Sequence, residues 1–265
     1  MFTTEDHGRI HRRVIDGMQP LEYYCYRPKE WHPGRAMISV HGISRNAKEH
    51  VEGFITQAER HKSIIIAPYF PKSSFRRYQQ LGVSADAGRA DLAFDNIIQD
   101  AADWLQMQLY PLRIFGFSGG GQFAHRYAMF YPKRIKRLVL AAPGWYTFPD
   151  PDRHYPLGLR STREWPKLKF SAERFLKIPT MVTVGEEDDL RDDDLNKERA
   201  IDAFQGFNRI ERGERWITAM RSLGRAFDIS TDFRLETIPN ANHAYESYQS
   251  HPPFGDMVFD FLFDD

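Results

Sequence analysis

A serine flanked by glycines, in the stretch RIFGFSGGGQFAHRYA from Arg113 to Ala128, has the residue types that nucleophilic chemistry needs. Gly116, Ser118 and Gly120 form the pattern G-x-S-x-G, in which the serine stands on a sharp strand-to-helix turn that leaves no room for side chains two residues away. The dinucleotide pattern G-x-G-x-x-G and the phosphate-binding pattern G-x-x-x-x-G-K do not fit these letters. The stretch predicts a nucleophile at Ser118, with an ordinary capping serine in a glycine-rich turn as the alternative.

A base must stand near Ser118, because a hydroxyl is a poor nucleophile until a neighbouring group takes its proton. The chain has ten histidines, and His243 lies in the polar loop IPNANHAYES directly after the last predicted strand. In hydrolases with this serine turn the histidine follows the acid along the chain, as His243 would. We therefore predict His243 as the base, with His251 as the fallback and a surface-loop role as the alternative. His125, two helical turns past the serine, is assigned to the helix surface or to packing.

The acid that orients the histidine is expected after a strand between Ser118 and His243. The segment TMVTVGEEDDL offers four consecutive carboxylates, and the spacing G-x-x-D selects Asp188, with Asp189 as its main rival. The block EEDDLRDDD also has the hard oxygen ligands of a calcium site, but it lacks the D-x-[DN]-x-[DN]-G loop pattern. A solvated acidic loop beside one catalytic aspartate is the better interpretation.

The tetrahedral oxyanion of an acyl transfer needs two N–H donors, and one should come from the loop after the predicted strand AMISV. That loop reads His41-Gly42-Ile43-Ser44, and we assign the donors to the backbone amides of Ile43 and Gly119. His41 is interpreted as a loop residue and not as a base. Arg45, next in the loop, is a candidate for an anionic group of the substrate, with a structural salt bridge as the equal alternative. Such a site supplies nucleophile and electrophile by itself, so we expect no metal and no cofactor.

The elements around these residues alternate between buried strands and amphipathic helices. Runs that are apolar on both faces predict a mostly parallel sheet with helices on both sides, since only a covered sheet buries both faces of its strands. At this length the chain is expected to form one α/β domain over 1–265. The predicted strands are 21–27, 36–40, 63–70, 112–117, 135–143, 178–185 and 233–239, and the predicted helices are 46–60, 91–107, about 122–130 and 254–263.

The segment from 144 to about 175 breaks this alternation, because it is long and rich in proline, aromatic and charged residues. We expect a small cap-like insertion over the carboxyl ends of the strands, where open α/β sheets bind ligands. Trp145, Tyr146 and Phe148 begin it, and we predict that they wall the substrate pocket. The alternative is that these aromatic side chains anchor the insertion on the core.

Composition narrows the classes of function. Lysine plus arginine equals aspartate plus glutamate at 36 each, so no basic excess points to nucleic acid or to an anionic membrane. Cys25 is the only cysteine, which excludes an internal disulfide and fits a reducing compartment. The first residues have no apolar signal segment, and no run reaches the roughly 18 apolar residues of a membrane span. We expect a cytoplasmic protein whose partner is a small molecule.

Taken together, the motifs HGISRNAKEH, GFSGGGQFAHRYA, AAPGWYTFPD, VGEEDD and QGFNRIERGERW resemble those of an α/β-hydrolase. More narrowly, the chain is similar to polyhydroxybutyrate-depolymerase-like esterases, a group that includes feruloyl and acetyl-xylan esterases. This resemblance, over about Met37 to His243, implies a triad of Ser118, Asp188 and His243 that hydrolyses an ester. Without the disulfides usual in the secreted members, we expect a small soluble ester as substrate. The alternatives are a non-catalytic ligand-binding relative, and an amidase or peptidase that uses the same triad.

Overall fold

The computed structural model describes residues 7–82, 88–162 and 170–264. Its centre is an eight-stranded sheet in the order β1-β2-β4-β3-β5-β6-β7-β8. The pairs β1-β2 and β2-β4 are antiparallel and the other pairs are parallel, which confirms the mostly parallel sheet. The strands are β1 Arg9–Ile15, β2 Leu21–Arg27, β3 Ala36–Val40, β4 Ile64–Tyr69, β5 Leu112–Phe117, β6 Ile135–Ala141, β7 Thr180–Gly185 and β8 Phe233–Ile238.

The α-helices cover both faces of this sheet. Neighbouring residues of one strand enter different apolar clusters: Ile38 joins the cluster under α3, α4 and α7, whereas Met37 joins the cluster under α1, α2 and α9. The sheet is therefore buried on both sides, as its apolar strands predicted. The helices are α1 Ala47–Glu52, α2 Ile55–His61, α3 Ala90–Leu105, α4 Gly119–Phe130, α5 Ala172–Phe175, α6 Arg199–Gln205, α7 Arg209–Ala226, α8 Tyr245–Gln249 and α9 Pro252–Phe263.

Several elements differ from the prediction. The helix predicted over 46–60 is two helices that meet at Gly53 and Phe54. Strand β1 was not predicted, because its sequence RIHRRVI is charged and only partly buried at the sheet edge. Helix α4 starts three residues earlier than predicted, immediately after Ser118, since its glycines are helical despite their low propensity.

The insertion after β6 is described over 144–162 and from 170 onward, and its residues 163–169 lie outside the described part of the chain. Its first residues are tied to the helices. The backbone of Tyr146 exchanges two hydrogen bonds of 2.8 Å with the Gln205 side chain, and the Trp216 indole N–H donates to the Thr147 carbonyl at 2.9 Å. The start of the insertion is thus packed into the body of the protein. In the described ranges, no helix combines the length and the apolar character that crossing a bilayer requires.

Candidate active site

Ser118 lies at the turn between β5 and α4 with a left-handed backbone, φ 50° and ψ −112°. Such a conformation costs a non-glycine residue about 1–3 kcal/mol and persists only where its surroundings enforce it. The enforcement is visible at the neighbouring glycines: a Cβ on Gly116 would lie 2.4 Å from the Gly120 carbonyl oxygen, and a Cβ on Gly120 would lie 2.0 Å from the Val40 carbonyl oxygen. The Ser118 amide also donates to the Ala141 carbonyl at 2.7 Å. The turn is closed by direct backbone packing against β3 and β6.

Ser118, His243 and Asp188 form one hydrogen-bonded chain. The Ser118 Oγ lies 3.0 Å from His243 Nε2, and His243 Nδ1 lies 2.9 Å from Asp188 Oδ2. An imidazole beside a carboxylate keeps its proton on Nδ1, which leaves Nε2 free to accept the serine proton. The side chain of His243 is 16% exposed and that of Asp188 is 1% exposed, so the base faces the site and its acid is shielded from water. This arrangement can activate a hydroxyl nucleophile.

The two rival carboxylates have different places. Asp188 follows β7, is buried and contacts His243. Asp189, the next residue, is exposed. His251, the fallback base, precedes α9 as its N-cap residue. His125 is fully buried and not on the helix surface: its Nδ1 lies 2.9 Å from the Gly121 carbonyl oxygen, and its Nε2 accepts from the Thr147 amide at 2.9 Å. Both ring nitrogens of His125 are hydrogen-bonded to backbone groups, which agrees with the packing role and not with the helix-surface role.

The acid has a second partner that sequence analysis missed. Arg209, the first residue of α7, is fully buried and donates to Asp188 Oδ1 at 3.0 Å. The same guanidinium donates to both carboxylate oxygens of Asp192, at 2.7 and 2.9 Å. Arg209 stands 21 residues after Asp188 in the chain, and only the return of α7 against β7 and β8 brings them together. A buried position for this arginine has no local signal in its sequence.

The predicted oxyanion donors lie side by side. A Cβ on Gly119 would lie 3.4 Å from the Ile43 amide nitrogen, so the two backbones approach closely. Within the described residues, neither amide has a hydrogen-bond acceptor. Both N–H groups are therefore available near the Ser118 side chain, at the start of the α4 dipole. Two such donors can bind a developing negative charge.

The loop that carries Ile43 is fixed by His41. The His41 Nδ1 lies 2.8 Å from the Gly42 carbonyl oxygen, and its Nε2 accepts from the Phe70 amide at 3.0 Å. The Tyr78 hydroxyl donates to the His41 carbonyl at 2.7 Å. Burial lowers the pKa of His41 to about 4, so its imidazole is neutral at neutral pH. As predicted, it supports the loop by hydrogen bonding, and no base function is available to it.

A cavity of about 520 Å³ opens beside Ser118 and His243. Phe117, Ile43 and Tyr245 supply apolar surface, and four carboxylates are among the other lining residues: Glu49, Asp192, Asp194 and Glu246. Among its described lining residues there is no lysine or arginine. A pocket of this size fits a small molecule, and its charge disfavours an anionic one.

None of the four predicted pocket residues, Arg45, Trp145, Tyr146 and Phe148, lines this cavity. Phe148 is 6% exposed and packs on Phe204 with ring centroids 4.6 Å apart. Tyr146 is fully buried and stacks on Trp216 with ring centroids 5.1 Å apart. Trp145 is 6% exposed, and the Arg126 guanidinium covers its ring, with Cζ 4.2 Å from the ring centroid. Arg45 donates to the carbonyls of Phe70 and Phe75 and covers the Tyr78 ring. The aromatic side chains are used in packing, which corresponds to the anchoring alternative. Arg45 has a structural role as well, but through backbone carbonyls and not through the salt bridge of its alternative.

The acidic block after β7 is held by protein donors. Asp192 accepts from Arg209 and from the backbone amides of Asp194 and Leu195, and Asp193 pairs with Lys197 at 3.4 Å. Across residues 7–82, 88–162 and 170–264, no three His, Cys, Asp or Glu side chains are grouped so that they could hold a metal ion. The calcium interpretation of this block has no structural support there.

Comparison with known proteins agrees with the fold. The family model for the α/β hydrolase fold matches residues 37–240. An abhydrolase domain-containing protein of Caenorhabditis elegans is 32% identical over 83 residues, which make up 31% of this chain and only 18% of that longer protein.

Solved structures superpose over nearly the whole chain. Poly(aspartic acid) hydrolase-1 from Sphingomonas sp. KT-1 has a TM-score of 0.80 at 22% identity and covers 96% of this chain and 99% of its own. A poly(3-hydroxybutyrate) depolymerase from Bordetella parapertussis has a TM-score of 0.78 at 22% identity, over 98% and 92%. A ferulic acid esterase has a TM-score of 0.62 at 13% identity, over 96% and 98%. At these identities the likeness establishes the fold.

Proposed function

Because the chain belongs to the α/β hydrolase fold family, we propose that it is a serine hydrolase that cleaves a small, soluble carboxylic ester through an acyl-enzyme. The observation that supports this most directly is the chain of hydrogen bonds from Ser118 through His243 to Asp188, beside the two open amides of Ile43 and Gly119. The nucleophile, the base and the oxyanion donors are placed to act on one reacting carbonyl, and the acid acts on it through His243.

In the first half-reaction, His243 Nε2 takes the proton of Ser118 as its Oγ attacks the ester carbonyl. The Ile43 and Gly119 amides bind the oxyanion of the tetrahedral intermediate, and Asp188 stabilises the imidazolium. Collapse of the intermediate expels the alcohol, which leaves with the proton from His243. Water, activated by the same histidine, then hydrolyses the acyl-serine and releases the acid. No metal or cofactor has a role in these steps.

The cavity and the relatives support the proposed substrate class. A cavity of about 520 Å³ fits a small ester, and esterases and a depolymerase are among the similar structures. Its four carboxylates disfavour a polyanion such as the poly(aspartic acid) in the name of one relative. An amide remains the second substrate class, because the triad does not discriminate between leaving groups.

Replacing the nucleophile tests this proposal. We expect Ser118→Ala to lower kcat by about 10⁴-fold or more on p-nitrophenyl esters, because the covalent route is lost. An organophosphonate should add one adduct to the wild-type protein and none to this variant. Ser250→Ala, which alters an exposed serine far from the turn in sequence, is the matched control and should keep both activity and labelling. Near wild-type activity of folded Ser118→Ala would exclude the proposed mechanism, and aryl amides in the same panel separate esterase from amidase.

A further inference from the structure

Four charged or ionisable side chains form one hydrogen-bonded cluster beside Ser118. His243 contacts Asp188 Oδ2, and Arg209 Nη1 donates to Asp188 Oδ1. Asp192 accepts from the same Nη1 and from Nη2 of Arg209. Arg209 is fully buried and Asp188 nearly so, whereas the Asp192 side chain is 34% exposed and lines the cavity. The triad acid therefore shares its cation with a second carboxylate.

We propose that Arg209 and Asp192 act as positioning residues that set the proton affinity of His243: Arg209 binds and orients Asp188, and Asp192 offsets the charge of Arg209 so that the imidazolium still faces a net negative group. The catalytic consequence rests on the proposed serine hydrolase function. The effect on the titration of His243 does not, because it is a property of the folded protein.

A charge count gives the direction of the effect. In the native arrangement two carboxylates and one guanidinium leave a net charge of −1 beside His243. A lone Arg209 would cancel Asp188, and the imidazolium formed during catalysis would lose most of its stabilisation. Without Arg209 the two carboxylates would leave −2, and the proton would bind more tightly. Arg209 therefore lowers the proton affinity of His243, and Asp192 raises it.

Other ionisable groups near His243 do not change this count. Glu49, Asp194 and Glu246 line the same cavity but are exposed, so water and salt screen them. Burial raises the pKa of the hydroxyls of Tyr146 and Tyr248, which lie near Asp188, so both are neutral.

On α7 the next buried arginine is Arg212. It pairs with Asp202 at 2.8 Å and makes no contact with the triad, so its charge is compensated locally. The side chain of Phe117, stacked 5.6 Å from the His243 ring, carries no charge.

A purely structural role makes a different prediction. Asp192 also accepts the amides of Asp194 and Leu195, so the pair could simply hold the acidic loop in place. In that case Asp192→Asn and Arg209→Gln would both loosen the loop and would change the site in the same direction. The charge role requires opposite changes, and Asp192→Asn preserves the amide-accepting oxygen, which separates charge from shape.

The experiment is a titration of His243 by NMR of histidine-labelled protein, with the resonance assigned from His243→Gln. We expect the pKa of His243 to fall in Asp192→Asn, to rise in Arg209→Gln, and to return close to the wild-type value in the double variant, where the net charge is again −1. Shifts of about half a unit or more, about threefold in the proton-binding constant, are expected for charges this close. The acid limb of kcat/KM should move with each titration.

Arg212→Gln is the matched control, because it removes a buried arginine from the same helix and should lower stability while leaving the His243 titration much less changed. Shifts of the same sign in the two single variants, or an unshifted His243 in folded Asp192→Asn, would overturn the proposal. Asp192→Asn decides the matter alone if Arg209→Gln does not fold. Opposite shifts in a protein without esterase activity would support the charge coupling and count against the proposed function only.

Discussion

Two groups of side chains support the turn at Ser118, and they differ in charge and in burial. One group, the charged side, contains a base and a carboxylate that are both partly exposed, next to a buried ion pair. Its members are Asp188, Asp192, Arg209 and His243. The other group, the neutral side, is buried throughout and holds the loop of Ile43 and the start of the insertion; its members are His41, Tyr78, His125 and Tyr146.

The same residue type has opposite properties on the two sides. His243 forms hydrogen bonds with a hydroxyl, from which it can take a proton, and with a carboxylate, which can stabilise the resulting cation. His41 and His125 bond only backbone groups, and burial lowers the pKa of each, so both stay neutral. Proton transfer therefore depends on the charged side, and the rigidity of the surrounding loops depends on the neutral side. Changes on the charged side should alter rate and pH profile, and changes on the neutral side should alter stability.

The largest effect is expected from the acid on the charged side. Asp188→Asn should lower kcat by about 10³- to 10⁴-fold, because His243 loses the anion that fixes its tautomer and stabilises its cation. Asp189→Asn, one residue further along in an exposed position, is the matched control and should leave kcat nearly unchanged. Steady-state kinetics on an activated ester and a melting curve for each variant make the comparison. The opposite ranking of the two variants would transfer the acid role to Asp189.

The next effect lies on the neutral side. Tyr146→Ala should destabilise the protein by about 3–5 kcal/mol, because it empties a fully buried aromatic site against Trp216. Denaturant unfolding measures this, and kcat/KM should fall for all esters alike. Tyr146→Phe is the control: the hydroxyl has no hydrogen-bond partner in the described chain, so its loss should change stability by about 1 kcal/mol or less. A changed ranking of esters at unchanged stability would instead make Tyr146 a pocket wall.

A smaller effect is expected from the titration of His41. Its folded-state pKa of about 4 lies below the ordinary value of 6.5, so the unfolded chain binds the proton first. This contribution to stability is full above pH 6.5 and is lost as the pH falls towards 4, by about 2 kcal/mol at pH 5. We expect the loss of unfolding free energy between pH 7 and pH 5 to be smaller in His41→Asn by this amount. Parallel pH profiles for the two proteins would place His41 outside the neutral side.

The three residues that form the hydrogen-bonded chain could be located from sequence because each has a local signature. Ser118 is marked by glycines whose absence of Cβ atoms the backbone requires, and Asp188 and His243 come directly after strands whose carboxyl ends share one edge of the sheet. The mostly parallel sheet followed from strands that are apolar on both faces.

Properties that depend on distant packing could not be predicted. Arg209 reaches Asp188 only because α7 returns to the sheet. Its segment QGFNRIERGERW contributed to the resemblance but did not indicate which of its arginines contacts the acid. An aromatic residue at the start of an insertion can face a cavity or the core, and Tyr146 faces the core because Trp216 and Gln205 meet it there. The edge strand β1 was missed for a related reason, since partial burial weakens the alternation of apolar and polar residues.

The left-handed backbone of Ser118 has a consequence for how the chain tolerates mutation. Glycine adopts a positive φ without strain, so Ser118→Gly relieves a cost that the serine imposes on the folded protein. In a selection that scores only cellular abundance, this inactivating change should be neutral or enriched, while any side chain at Gly116 or Gly120 should be depleted. A selection for ester hydrolysis should reject all three. Ser118 would then be retained for activity although it lowers stability, whereas Gly116 and Gly120 would be retained because stability requires them.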